Sequence, residues 1–203
     1  MSYCVWFERD DLTRRYHEEW GTPVYDDRLH FEILSLEVMQ CGLSFRLILK
    51  KRELLRRLFS GFDFERIALF DTSCEHEVMA APGMIRSAPK IRAIITNAQA
   101  FIRVRKDYGS FSDFVWGFCG SVPILYEGHE NGMVPASNAL SLRLSSELKK
   151  IGFKYIGPVA AYSYLQACGI INDHDKNCPR RAWLLEHFAY TRQMPEKENG
   201  LNL

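Results

Sequence analysis

In the stretch "NDHDKNC", His174 and Cys178 stand four residues apart. That spacing puts two soft ligands on one side of a helical turn, which is half of a metal site. Structural zinc takes four nitrogen or sulfur ligands, and the other end of the chain offers Cys4 and His17. Together they make a closed Cys2His2 set with no open coordination position. Such a zinc would be structural rather than catalytic. It would tie the two ends of the chain together, with binding energy on the order of 10 kcal/mol counted as folding energy. On spacing alone, unrelated surface His and Cys residues fit equally well.

Glu37 raises a second question. On a helix its near neighbours are Ile33, Leu34 and Cys41. A carboxylate there is either buried at a cost or lines a cavity. Buried and unpaired it takes up a proton; beside a cation it stays ionised. Alternatively it stands at the edge of the stripe, reaching solvent or an Arg. Trp6, Tyr16, Trp20 and Phe45 flank the same elements. Such rings can stack on a base and attract positive charge, or simply fill a core. A third stretch is "AAPGMIRSAPKI", residues 80–91. Gly83 allows a sharp turn, and the next helix would point its first amides outward as a phosphate site. Arg86, Lys90 and Arg92 cluster there and could steer a nucleic-acid strand. An ordinary helix–turn–helix corner gives the same pattern. The runs Lys50–Arg52, Arg56–Arg57 and Lys149–Lys150 read as solvated faces.

The elements that must position these groups are helical. Asp27 reads as a cap for a helix carrying Phe31, Ile33, Leu34 and Val38 and ending near Gly42. Ser44 starts "FRLILKKRELLRRLF". Ser87 reads as a cap for "APKIRAIITNAQAFIRVRK", whose stripe is Ile91, Ile94, Ile95, Ala98, Phe101 and Ile102. "FERIALF", "CEHEVMAA", "FSDFVWGFC", "SNALSLRLSSELKKIG" and "VAAYSYLQAC" complete the set. No alternating strand pattern persists. Residues 120–136 read as a long loop and the tail past Met194 as frayed. The expected class is all-α: one helical domain over residues 1–180, in one body or two lobes, with 181–203 as a partly flexible extension.

A chain of 203 residues with 47% hydrophobic content suits a sizeable core. Net charge is +1, so no global field attracts nucleic acid or a membrane, and any such binding must be local. No apolar run reaches membrane-span length, and the N-terminus lacks the basic and apolar regions of a secretory signal. The six scattered cysteines read as free thiols or metal ligands. These features predict a soluble, intracellular protein; a cytoplasmic monomer is the expectation taken forward.

"YCVWF", "RYHEEWGTP", "LEVMQCGLSFRLILKKRE", "GFKYIG" and "YSYLQACGIINDH" fall in this order along the chain. This pattern, spanning most of residues 3–178, resembles the DNA-3-methyladenine glycosylase I family. The resemblance implies a helix-hairpin-helix DNA glycosylase fold, with zinc on Cys4, His17, His174 and Cys178 joining the termini. It implies double-stranded alkylated DNA as partner, and hydrolytic excision of 3-methyladenine that leaves an abasic site. Glu37 matches the family's base-recognising Glu and Tyr16 its partner on the base; these are the expected catalytic pair. Trp6 and Trp20 match pocket walls, and Phe45 stands where the family usually has a stacking Trp. Gly42 and Leu43 match residues at the DNA surface, Leu43 filling the gap left by the flipped nucleotide. The turn with Gly83, Arg86 and Lys90 is assigned to gripping phosphates. The competing readings are a non-catalytic or altered-specificity lesion-binding protein of the same fold, and a zinc-tethered helical protein without a DNA role.

Overall fold

The computed structural model describes residues 4, 7 and 10–194. Trp6 and the tail past Met194 lie outside the described residues. Ten α-helices account for most of the rest: α1 (Asp11–Glu19), α2 (Asp27–Gln40), α3 (Phe45–Leu58), α4 (Phe64–Ile67), α5 (Thr72–Ala80), α6 (Ala88–Tyr108), α7 (Phe111–Trp116), α8 (Ala139–Ile151), α9 (Pro158–Ala167) and α10 (Pro179–His187). None is both long and apolar enough to cross a membrane.

α2 is the hub, packed against α3, α6, α7 and α9. Every residue from His30 to Met39 is buried, so this helix has no wet face. Asp26 is its N-cap, accepting from the Leu29 amide at 2.8 Å. Asp27 is instead the first helical residue, and its carboxylate accepts from the amides of Phe111 and Ser112 at the start of α7. Such caps satisfy amides that a helix terminus leaves open. α6 is amphipathic as expected through Ile91, Ile94, Ile95, Ala98 and Phe101, but Val104 continues the buried stripe while Ile102 is exposed.

The structure is not purely helical. β1 (Ile124–Tyr126) and β2 (Thr191–Gln193) form a parallel pair, with Ile124 opposite Thr191. The segment read as a long loop thus carries a strand, pinned on its other side by Ile124 N–H to Ile170 C=O and Asn172 N–H to Ile124 C=O. Three-residue strands are too short to show alternation in sequence. The expected boundary at residue 180 falls inside α10, whose Leu184 is fully buried.

Candidate base-binding pocket and metal centre

α1 carries the two sites on neighbouring residues. His17 faces a cluster with Cys4, His174 and Cys178, all four buried and with ligand atoms within 4.8 Å of one another. Cys178 Sγ lies 3.3 Å from His17 Nε2 and 3.5 Å from His174 Nδ1, and Cys4 Sγ lies 3.7 Å from His174 Nδ1. Tetrahedral zinc with ordinary Zn–S and Zn–N bonds puts sulfur and nitrogen about 3.6 Å apart. The cluster could therefore hold a metal ion. His174 Nε2 is 3.0 Å from the Trp20 carbonyl; that contact makes it the protonated nitrogen and leaves Nδ1 free to ligate. Gly21, at φ +79°, permits this approach, because a Cβ there would lie 2.9 Å from His174 Nε2. Cys178 is driven toward thiolate by hydrogen bonds with Cys4, His17 and His174, while the bond to Cys178 and burial drive Cys4 the other way.

Tyr16, one residue earlier, is also buried. With Glu37 and Phe45 it forms a wall shared by two cavities, of about 590 and 150 Å³. The smaller is completed by Trp20, Gln40, Ser163 and Gln166. The larger extends past Ile33 and Leu36 to Arg52 and Arg180. Phe45 meets Tyr16 at 4.8 Å between ring centroids, tilted 58°. Four of the five expected pocket residues, Tyr16, Trp20, Glu37 and Phe45, thus converge. The fifth, Trp6, is not among the described residues.

Glu37 is 6% exposed, and no ion pair reaches it among the described residues. Burial alone pushes its carboxyl up to about 8. The sequence left an ionised or a protonated Glu37 open; burial keeps it mostly protonated at neutral pH. Burial and the Glu37 charge raise the Tyr16 phenol well above its usual range, so it stays a neutral donor. Arg52, read as part of a solvated run, belongs to the interior: it donates to Glu32 at 2.6 Å and to Glu19 at 2.7 Å.

Lys90 corrects the surface reading. It is 8% exposed, and its Nζ donates to the carbonyls of Met39 at 2.8 Å and Cys41 at 2.6 Å. It caps the C-terminus of α2 and holds the turn in which Gly42 takes φ +75° and Leu43 is exposed. It is unavailable to steer a strand. We expect Lys90→Met to lose about 3 kcal/mol of stability, because two carbonyls lose charge-assisted donors. Thermal unfolding would register this as roughly 6–12 °C; an unchanged midpoint would refute the capping role. Arg92 is likewise engaged, by Glu75 at 2.8 Å. Gly83 and Arg86 are exposed. The α6 N-terminus beside them has little to offer a phosphate, because Pro89 has no amide and those of Lys90 and Ile91 bond to the Ser87 carbonyl.

A second corner, between α8 and α9, carries the "GFKYIG" of the resemblance, to which the sequence reading gave no role. Gly152 ends α8 in the left-handed region, and Tyr155 is exposed at φ +61°. The side chain of Asn97 brackets Lys154, accepting from its amide at 2.7 Å and donating to its carbonyl at 3.1 Å. The first backbone bond of α9 is Ala161 N–H to Gly157 C=O, which leaves the amides of Val159 and Ala160 open. Cys41 Sγ lies 3.8 Å from the Tyr155 carbonyl, so this corner abuts the Gly42–Leu43 turn. The sequence signal was "GFKYIGP", a glycine at each end of a short link before a helix-starting proline.

Residues 6–181 match the family model for methyladenine glycosylase. The chain belongs to that family. Its members are DNA glycosylases, enzymes that hydrolyse the N-glycosyl bond. The chain is similar to DNA-3-methyladenine glycosylase 1 of Escherichia coli, with 39% identity over 179 residues covering 88% of this chain and 96% of the relative. It is 37% identical to DNA-3-methyladenine glycosylase of Haemophilus influenzae, covering 87% and 96%. The solved 3-methyladenine DNA glycosylase I from Staphylococcus aureus, described for its recognition of 3-methyladenine, superposes with a TM-score of 0.83 at 33% identity, covering 87% and 95%. A single-residue variant of a 3-methyladenine DNA glycosylase I, solved in complex with 3-methyladenine, superposes with a TM-score of 0.82 at 33% identity, covering 87% and 96%.

Proposed function

We propose that this protein excises 3-methyladenine from alkylated double-stranded DNA, as a cytoplasmic monomer with one structural zinc. The observation that carries the reading is a buried, unpaired acid on the wall of a purine-sized cavity that Tyr16 and Phe45 also line. N3-methylation gives adenine a positive charge. When such a base enters, Glu37 gains its missing cation and releases its proton to bulk water, so that the carboxylate faces the positive ring. Unmodified adenine is neutral and leaves the acid without a charge partner. Tyr16 donates to the base, Phe45 stacks on it with less area than the usual Trp, and Trp20 closes one side.

An alkylated cation is already a good leaving group, so little acid chemistry is needed. The site's work is to hold the everted base while water captures the sugar. Leu43, exposed on its turn, fills the space the nucleotide leaves. The amides beginning α9 hold phosphate without reading sequence, with Gly83 and Arg86 as an outer contact. The four-ligand cluster accepts zinc, which fastens residues 4 and 17 to 174 and 178.

The test is release of free base from methylated duplex DNA. Salt-dependent DNA binding with 3-methyladenine released supports the reading. Binding to abasic DNA without release would make the protein a lesion sensor, and absence of DNA binding would leave only the zinc-tethered fold.

A further inference from the structure

Behind the pocket lies a buried polar network that base recognition has not yet used. Asp173 accepts from the Tyr162 hydroxyl at 2.6 Å and from the Gln166 side-chain amide at 2.8 Å, both on Oδ2. Its Oδ1 lies 2.7 Å from His129 Nδ1. Asp173 is buried, as are Tyr162 and His129. Gln166 is the member that reaches the smaller cavity, where it and Ser163 stand among Tyr16, Trp20, Glu37, Gln40 and Phe45.

The chemistry of the amide fixes what Gln166 can present. A primary amide has an NH2 end that donates and an oxygen that accepts. A carboxylate only accepts, so Asp173 requires the NH2 end. Tyr162 and His129 supply the other donors on that carboxylate, which keeps it from turning. The Gln166 oxygen is therefore the end left for an occupant of the cavity. A free glutamine amide could present either end; this one is committed to acceptance.

We infer that Gln166 is a specificity-determining residue that accepts from the exocyclic amine of a 6-aminopurine, and that Asp173 is the positioning residue that orients it. Glu37 meets the charge of an alkylated purine, and alkylated adenine and guanine share that charge. Gln166 separates the two. Adenine carries an amine at position 6, which donates to the amide oxygen. Guanine carries a carbonyl there, which would face that oxygen and leave two acceptors unpaired. The inference rests on the 3-methyladenine reading above and deepens it.

The experiment measures binding of free 3-methyladenine and free 3-methylguanine to the zinc-loaded protein, alongside thermal stability. Wild type should prefer 3-methyladenine. Gln166→Leu should reduce that preference roughly tenfold with only a modest fall in unfolding temperature, because Asp173 loses one donor but keeps Tyr162 and His129. Asp173→Asn should reduce it in the same direction, because a carboxamide can donate to Gln166 and turn its amide over. In the Gln166→Leu background, Asp173→Asn should shift the preference no further, whereas a purely structural role would lower stability and add to the loss. An unchanged preference in Gln166→Leu overturns the inference, and equal shifts by Asp173→Asn in both backgrounds overturn its positioning half. If Asp173→Asn does not fold, Tyr162→Phe, which removes one donor from the carboxylate, takes its place in the same cycle. Failure of wild type to bind 3-methyladenine or release it from methylated DNA would count against the functional reading itself; wild-type selectivity indifferent to Gln166 counts against this inference alone.

Discussion

Glu37→Gln is expected to cost on the order of 100-fold or more in excision of 3-methyladenine while making the protein more stable at and above neutral pH. The two effects have one origin. The side chain is 6% exposed and burial holds its carboxyl at about 8, against about 4.3 in an unfolded chain. The folded state therefore keeps a proton that the unfolded state releases. For an acid raised in this way, stability is fully present below the unfolded value and is lost as pH rises through the folded one. The loss accumulates between about pH 4.5 and 8 and reaches several kcal/mol in order of magnitude. Gln never ionises and escapes it. The stability difference between variant and wild type should widen over that interval and level off above it. Titrating groups common to both, such as the buried His30, whose ring is held down to about 4 by burial, cancel in the difference.

Excision should follow the same titration from the other side. A cationic base needs the anionic acid, so wild-type kcat/KM for methylated DNA should rise with pH, by up to about tenfold per unit, and level near 8. The Gln variant should show no such limb. Wild-type excision by Glu37→Gln, or a stability difference that does not change with pH, would remove the acid from the centre of the scheme.

The legible and illegible parts of the molecule divide along physical lines. Cys4, His17, His174 and Cys178 were brought together by the family resemblance and not by spacing, because a His and a Cys four residues apart are as readily unrelated surface groups. α3 and α6 were legible because each has a polar face that makes the apolar one periodic. α2 was harder: with every residue from His30 to Met39 buried, its polar members are interior groups with partners elsewhere, such as Tyr164 for His30 and Arg52 for Glu32. Lys90 was misplaced because lysines are almost always solvated. Nothing local announces that two carbonyls some fifty residues earlier need its ammonium. Gln166 in the apolar run "YSYLQACGII" and Asp173 in the polar stretch "NDHDKNC" drew no notice for the same reason. Their importance comes from a bond to each other and from the cavity one of them lines, and neither is a pattern along the chain.

Removing the metal is expected to produce the largest loss of stability, and to weaken base binding with it. The ligands come from α1 and its approach on one side and from the segment leading into α10 on the other. A cation there would join residues 4 and 17 to 174 and 178. Without it, two sulfur groups and two imidazoles are buried together with their donors unevenly matched, and α1 is left to its packing on α3 and to pairs such as Asp10–Arg46 at 2.6 Å and Glu19–Arg52 at 2.7 Å. Chelation should cost about 5 kcal/mol or more, roughly 10–20 °C in unfolding temperature for a chain of this size. Cys178→Ser should abolish stoichiometric zinc and reproduce most of that loss. Base binding should fall too, because Tyr16 is the residue before His17 and the Trp20 carbonyl holds His174 Nε2. The helix that carries His17 into the cluster is also the one that brings Tyr16 to Glu37. Zinc added back to chelated wild type should restore both the unfolding temperature and the affinity for 3-methyladenine. Protein that retains one zinc per chain after Cys178→Ser, or whose base affinity is indifferent to chelation, would contradict this coupling between tether and pocket.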